Sequence, residues 1–210
     1  MERTGMAALV LAAGVIMSAC GPRGSSTFPP QQNAVYVSRE GELYTALMES
    51  YDPLDTGYRA EELQAMASRE LADYNSQYGT PDTPEPVTLS QCTMEGGKAS
   101  VVYQYASPED LCRFTLVSQD TANHPDSLVI TTNTAGLTGS GPEGGWTDVR
   151  KNSAVTSQEV LKKKDLPMAV VSGPVTVQTE GKIIFYSGTV DLTDEYTAKV
   201  TEGTAWIVFR

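Results

Sequence analysis

The sequence is poor in the residues on which most metal centres and catalytic triads depend. Its 210 residues include one histidine, His124, and three cysteines. A zinc site needs several Cys or His ligands at defined spacing, and no C-x-x-C pair occurs. A Ser-His-Asp triad would require His124, and no G-x-S-x-G motif presents a serine. We therefore expect no metal and no triad, and we assign His124 to a turn, residues 123–126.

Other motifs of catalysis and ligand binding are also missing. The S-x-x-K and K-T-G strings of penicillin-recognising enzymes do not occur. The glycines of residues 133–146 lead into Trp146 and not into the Gly-Lys-Ser/Thr of a phosphate-binding loop. The acidic segments 120–126 and 191–195 lack the EF-hand pattern of calcium ligands and are predicted to be surface turns. No cofactor is expected, and no catalytic residue can be assigned.

Basic residues are in the minority. The chain has 15 Lys and Arg against 26 Asp and Glu, which gives a net charge of -11. Nucleic acids and anionic membrane surfaces attract positively charged proteins, so the composition argues against both as partners. We interpret the acidity mainly as a solvated surface; a site for a cation or a basic partner is the alternative.

A short apolar run opens the chain. Residues 6–17 are uncharged and too few to span a bilayer as a helix, as in an export signal. The run ends in Met17-Ser18-Ala19-Cys20, which resembles the bacterial lipobox, with Met17 where Leu is commonest. The resemblance implies a diacylglyceryl group on the Cys20 thiol and removal of residues 1–19. Ordinary cleavage after Ala19 and an uncleaved anchor are the alternatives.

The segment after the lipobox has the composition of a linker. Residues 20–33 combine Gly, Ser, Pro and Gln with one aromatic residue, and we predict a lipidated tether. Residues 34–210 are long enough for a single domain with its own core. The other cysteines, Cys92 and Cys112, form an even pair in an exported chain and are a candidate disulfide. Two buried thiols are the alternative in an anaerobic host.

The first half of the domain has clear local patterns. Alternating residues predict a β-hairpin over 34–49, against a competing helix over 40–50. Three- and four-residue spacing predicts an amphipathic helix over residues 60–78. A second hairpin is predicted over 87–106, around the turn Glu95-Gly96-Gly97-Lys98. Ser107 followed by Pro108 predicts the start of a short helix.

The second half is predicted to be mostly strand. Strands are expected at 116–118, 128–132, 168–172, 175–178, 183–187, 189–192 and 205–209. Residues 133–146 are expected to form an exposed loop, and Thr156 with Glu159 fits a capping box. The last strand is apolar on both alternating sets, which predicts a central position in a sheet. The fold class that follows is α+β, an antiparallel sheet of hairpins packed against one main amphipathic helix and short helices.

Three segments of this pattern resemble small, uncharacterised lipoproteins of anaerobic Gram-positive bacteria. They are the hairpin at 35–49, the helix start at Tyr58-Arg59-Ala60-Glu61-Glu62-Leu63, and the step Tyr105-Ala106-Ser107-Pro108-Glu109-Asp110. The resemblance implies an envelope location and an α+β fold. It carries no catalytic residue to this chain.

The predicted function is that of a non-enzymatic binding or interaction module. It is expected on the extracytoplasmic face of the cell membrane, held by its lipid, with an envelope protein, peptide or glycan as partner. Loop aromatics are the candidate contact residues: Tyr51, Tyr58 and Trp146. An accessory subunit of an envelope transport complex is one alternative. A hydrolase of envelope polymers that uses two carboxylates is another.

Overall fold

Strands dominate the structure. The computed structural model describes residues 30–54, 57, 59–137, 141–142 and 144–210. Of these residues 43% lie in strands and 22% in helices. The predicted signal, residues 1–19, the lipidation site Cys20 and most of the tether lie outside the described residues.

The described residues contain eleven strands and four helices, numbered in chain order. The strands are β1 Ala34–Val37, β2 Leu43–Ser50, β3 Val87–Glu95, β4 Lys98–Tyr105, β5 Ser127–Thr132, β6 Trp146–Asp148, β7 Ser153–Val155, β8 Pro167–Ser172, β9 Val175–Thr179, β10 Ile183–Leu192 and β11 Thr197–Phe209. The helices are α1 Ala60–Tyr78, α2 Pro108–Val117, α3 Asn133–Gly136 and α4 Ser157–Leu161.

The predicted fold class is wrong. All eleven strands belong to one mixed sheet, whose main path runs β3-β4-β2-β1-β9-β11-β10-β6-β7, and β5 joins through β8 to β11. β1 pairs in parallel with β9, far away in sequence, whereas hairpins alone would give only antiparallel pairs. Local sequence patterns reveal hairpins but not pairing between distant strands. The predicted fold class therefore gave the main helix too large a share of the architecture.

The C-terminal strand is central, as predicted. β11 pairs along one edge with β10. Along its other edge its first half pairs with β9 and its second half with β8. This change of partner joins two sections of the sheet.

Three apolar clusters pack on the sheet. The main core joins α1 and α2 to the sheet and includes Val35, Tyr103 and Phe114. A second cluster on the opposite face of the first strands contains Ala34, Tyr36, Tyr44, Ala46 and Val102. A third cluster gathers Trp146, Val160, Met168, Phe185 and Val208 around α4.

The first two helices follow their sequence signals. α1 has the predicted bounds, carries Glu61 and Glu62 in its first turn, and buries one stripe of side chains. Arg59 at its N-cap makes no side-chain capping bond. α2 begins as predicted, since the Ser107 hydroxyl accepts from the Asp110 N–H and Pro108 starts the helix. The strand expected at 116–118 is wrong, because α2 continues to Val117.

Both predicted hairpins are confirmed, and residues 43–50 form a strand and not a helix. The turn between β3 and β4 needs Gly96 and Gly97, whose φ angles of 58° and 79° are left-handed. The capping box of Thr156 and Glu159 is also present. The loop expected over 133–146 is wrong at both ends, where α3 begins at Asn133 and β6 begins at Trp146.

Asparagine side chains complete strand edges that lack a neighbour. Asn75 Nδ2 donates to the Val87 carbonyl at 2.8 Å, and the Val87 N–H donates to Asn75 Oδ1 at 3.2 Å. Beyond the start of β1, the Met48 N–H donates to Asn33 Oδ1. Asn123 Nδ2 donates to the Ala46 carbonyl, at the last pair between β1 and β2. An amide carries both a donor and an acceptor, so it can replace a peptide group of a missing strand.

Candidate functional site

An apolar groove opens between the first half of α1 and the end of the sheet beneath it. Its floor is one row across three strands, in which Glu49 lies opposite Ala99 and Ala99 opposite Met94. Leu63 and Met66 of α1 form the opposite wall. The cavity measures about 330 Å³. This volume lies at the lower end of the roughly 300 to 1,000 Å³ of typical ligand pockets, and it suits two or three apolar side chains of a ligand.

The groove exists because the floor beneath the helix carries a side chain too small to meet it. Ala99, in the middle of the floor, supplies only a methyl group. Met66 is 54% exposed, although it lies on the same helix as the fully buried Ala67. Methionine adapts its shape to different apolar partners, which suits a binding surface.

Charged residues line the rim of the groove. Glu49 belongs to β2, and Arg59 and Glu62 lie at the start of α1. All three side chains are exposed. An apolar interior with a few polar groups at the mouth is the usual form of a binding cleft.

Of the three predicted contact residues, Tyr51 lines this groove. It is half-buried, and its N–H donates to the Gly97 carbonyl at 2.9 Å, which joins the segment after β2 to the β3-β4 turn. Tyr58 lies outside the described residues. Leu63 and Met66 were predicted only as part of the apolar stripe of the helix, and Met94 and Ala99 were not singled out, because only the strand register brings the four together.

The assignment of Trp146 to an exposed loop is wrong. The residue begins β6 and is only 2% exposed. Its indole Nε1 donates to Ser157 Oγ at 3.2 Å, and its ring meets Trp206 edge to face with centroids 6.4 Å apart. Trp146 is thus a core residue, because α4 folds over it.

Cys92 and Cys112 are both free thiols in the structure and are half-buried. Cys92 lies on β3 and Cys112 on α2, where both pack against the main core. Burial raises the pKa of each thiol. A higher pKa lowers the fraction of reactive thiolate, so neither has the environment of a catalytic nucleophile.

The segment 120–126 forms the predicted turn, but only part of it lies at the surface: Asp120 and Asn123 are buried, whereas Thr121, Ala122 and Asp126 are exposed. Asn123 is fully buried; its N–H donates to Asp120 Oδ1 at 3.2 Å, and its Nδ2 donates to Asp120 Oδ2 at 2.8 Å. Burial raises the pKa of Asp120, and the bonds from Asn123 partly oppose this. Thr115 Oγ1 lies 2.9 Å from His124 Nδ1. Within the described residues no group of three Cys, His, Asp or Glu side chains could hold a metal ion.

Two carboxylates, Glu49 and Glu62, lie at the groove, where a hydrolase of envelope polymers would need its acid and base. Both are solvent-exposed. A catalytic acid usually lies among apolar side chains, whereas these two lie at the rim of the groove. The groove therefore has the features of a binding surface more than those of an active site.

None of the described helices is both long and apolar enough to cross a membrane. Comparison of the chain with protein-family models, with curated protein sequences and with solved structures found no match.

Proposed function

We propose that this chain is a lipid-anchored module on the outer face of the cell membrane that binds an apolar segment of an extended polypeptide. The N-terminal sequence supports the anchor, and the groove beside α1 supports the binding. The single observation that carries the binding role is the exposed, apolar lining of a cavity of about 330 Å³ between Met66 and the Ala99-Met94 floor.

The apolar lining supports an apolar ligand group. Leu63, Met66 and Met94 enclose the cavity, and burying exposed apolar area is worth roughly 25 cal/mol per Å². Two or three buried side chains of a ligand would therefore supply most of the binding energy. The charged rim would supply specificity for the residues beside the apolar segment.

The charge distribution favours a basic flank beside that apolar segment. Two acids and one base, Glu49, Glu62 and Arg59, line the groove. Between Ala34 and Asp126, which includes the groove, acidic residues outnumber basic ones about threefold, whereas after Asp126 the two are nearly balanced. Such a field speeds the approach of a positively charged ligand.

A peptide selection tests the binding role. Phage-displayed random 12-residue peptides are selected on the detergent-solubilised full chain and on its Ala99→Leu variant, which fills the groove floor. Ala154→Leu is the matched control, because it makes the same change at an exposed alanine of β7. We expect enriched peptides with an apolar core and Lys or Arg beside it. Their affinity should fall about tenfold or more in Ala99→Leu and stay unchanged in Ala154→Leu.

Two results would overturn the binding role. One is enrichment of acidic peptides, and the other is equal affinity for the wild-type chain and Ala99→Leu. Circular dichroism of both variants checks that the fold is kept, so that a loss of binding reports on the groove.

Metabolic labelling with an alkyne-bearing fatty acid tests the anchor. The wild-type chain should carry the label and lack residues 1–19, and Cys20→Ala should carry none. A Cys20→Ala chain that remains membrane-bound through a cleaved and lipid-bearing N-terminus would refute lipidation at Cys20.

A further inference from the structure

One edge of the sheet is formed by β3, the strand at the end of the main path. The backbone groups of a strand point alternately to its two neighbours. Just after β4, the Ala106 N–H donates to the Pro86 carbonyl, on the β3 side, at 2.9 Å. Just before β4, the Gly97 carbonyl accepts from the Tyr51 N–H, on the β2 side, at 2.9 Å. Even-numbered residues of β4 therefore bond to β3, and odd-numbered residues bond to β2.

The strand register shows which backbone groups of β3 lie at its free edge. Cys92 lies opposite the odd-numbered Val101 of β4, and Met94 lies opposite the odd-numbered Ala99. Since Val101 and Ala99 bond to β2, the N–H and carbonyl groups of Cys92 and Met94 are not used by β4. They point to the side of β3 on which the sheet has no further strand.

The two ends of this edge differ. At its start, the Asn75 side chain bonds both the N–H and the carbonyl of Val87 and takes the place of a strand. Beyond the register shift of β3, no other described residue bonds the N–H or the carbonyl of Cys92 or Met94. Lys, Pro or a cover protects many edge strands, and residues 91–94 contain no Lys, no Pro and no charge. The edge is thus closed at one end of β3 and open at the other.

We infer that the polypeptide bound at the groove is an added β-strand that pairs with Cys92 and Met94 of β3. This inference rests on the proposed function and defines the conformation of its ligand. The open end of the edge adjoins the groove, because Met94 belongs to both. A strand carries N–H and carbonyl groups at the spacing of the edge, whereas an acyl chain or a glycan does not. The unpaired edge therefore selects a polypeptide.

Apolar side chains await one face of the added strand. Alternate side chains of a strand lie on the same face of the sheet, so every second residue of the ligand lies on the face of Met94. Met66 of α1 lines the groove together with Met94 and is 54% exposed. Apolar ligand residues at alternate positions therefore contact both methionines.

The charges around the groove and the β3-β4 turn favour a basic residue in the added strand. Three exposed acids and two exposed bases lie here: Glu49, Glu62 and Glu95, with Arg59 and Lys98. The balance is negative, so a Lys or Arg beside the apolar residues of the ligand is attracted.

Backbone N-methylation of a ligand tests the pairing directly. The probe is the tightest-binding 12-residue peptide of the selection, methylated at one backbone nitrogen at a time and titrated onto the detergent-solubilised full chain. Each methyl group removes one N–H donor. We expect affinity to fall about tenfold at every second position of the paired segment and little at the positions between, which serve as matched controls. Losses without this alternation, or no losses, would overturn the added strand.

Hydrogen exchange gives an independent measurement. Saturation with the same peptide should slow the exchange of the Cys92 and Met94 amides at least tenfold, because both N–H groups gain an acceptor. The Thr93 amide is the control and should change little, since it already bonds to β4 opposite Ser100. Unchanged exchange at Cys92 and Met94 with a peptide that binds more weakly to Ala99→Leu would overturn the added strand and keep the groove. Failure to select any such peptide would overturn both.

Discussion

The two halves of α1 lie on the same face of the sheet but pack differently. In the second half, Leu71 and Tyr74 are buried, and Tyr74 meets Phe114 edge to face with centroids 5.3 Å apart. In the first half, Leu63 is half-buried and Met66 is 54% exposed. One helix thus closes the core at one end and forms the wall of a groove at the other.

The difference comes from the rows of side chains that face the helix. Ala99 of β4 lies beneath the groove. Tyr103 lies further along the same strand, on the same face of the sheet. Tyr103 contacts Phe114 with centroids 4.9 Å apart, and its hydroxyl donates to Glu70 Oε2 at 3.1 Å. The helix region therefore packs closely on the large side chain of Tyr103 and leaves a cavity above the small side chain of Ala99.

The largest expected effect on stability comes from a substitution at the closed end of α1, where the helix packs on Phe114. Phe114→Ala removes a ring that is 2% exposed and contacts three tyrosines, Tyr74, Tyr103 and Tyr105. Such truncations cost about 3 to 5 kcal/mol, which lowers Tm by roughly 10 °C in a domain of this size. Thermal unfolding followed by circular dichroism measures it. Leu116→Ala, at an exposed position of the same helix, should change Tm little; equal losses would contradict the assignment of Phe114 to the core.

A smaller effect is expected where the closed end of α1 is fixed to the sheet. Asn75→Ala removes both hydrogen bonds to Val87 and leaves a buried strand edge unpaired. The expected cost is about 2 kcal/mol, measured by denaturant unfolding. Hydrogen exchange of the Val87 amide should become faster. Ser76→Ala, beside it on the exposed side of the helix, is the control, and unchanged exchange at Val87 would refute the edge-capping role.

Sequence alone was sufficient where structure depends on neighbours along the chain. Residues at three- and four-residue spacing indicated α1 with its correct bounds: Leu63, Met66, Ala67, Leu71, Tyr74 and Tyr78. Met66 is nevertheless exposed. Ser107-Pro108 indicated the start of α2. Leu116 and Val117 led to the wrong prediction of a strand, because a short apolar run is equally compatible with a strand and with a helix end. Both side chains are in fact exposed.

Sequence alone was insufficient where structure depends on distant pairing. Nothing local connects β1 with β9, so the mixed sheet and the fold class were missed. Trp146 follows a glycine-rich segment and looked exposed, whereas α4 covers it. The groove escaped notice for the same reason: Ala99 is an ordinary small residue until the register places it between Glu49 and Met94.

The smallest effect on stability is expected at the open end of α1, where a change should affect binding instead. Met66→Ala removes an exposed side chain from the wall of the groove, so the free energy of unfolding should change by less than about 0.5 kcal/mol. Affinity for the selected peptides should fall several-fold, because their apolar side chains lose a contact, and Met66→Leu should restore most of it. Denaturant unfolding and peptide titration of the three chains measure the two effects. A loss of stability above about 1 kcal/mol would make Met66 a core residue, and both halves of α1 would then have the same role.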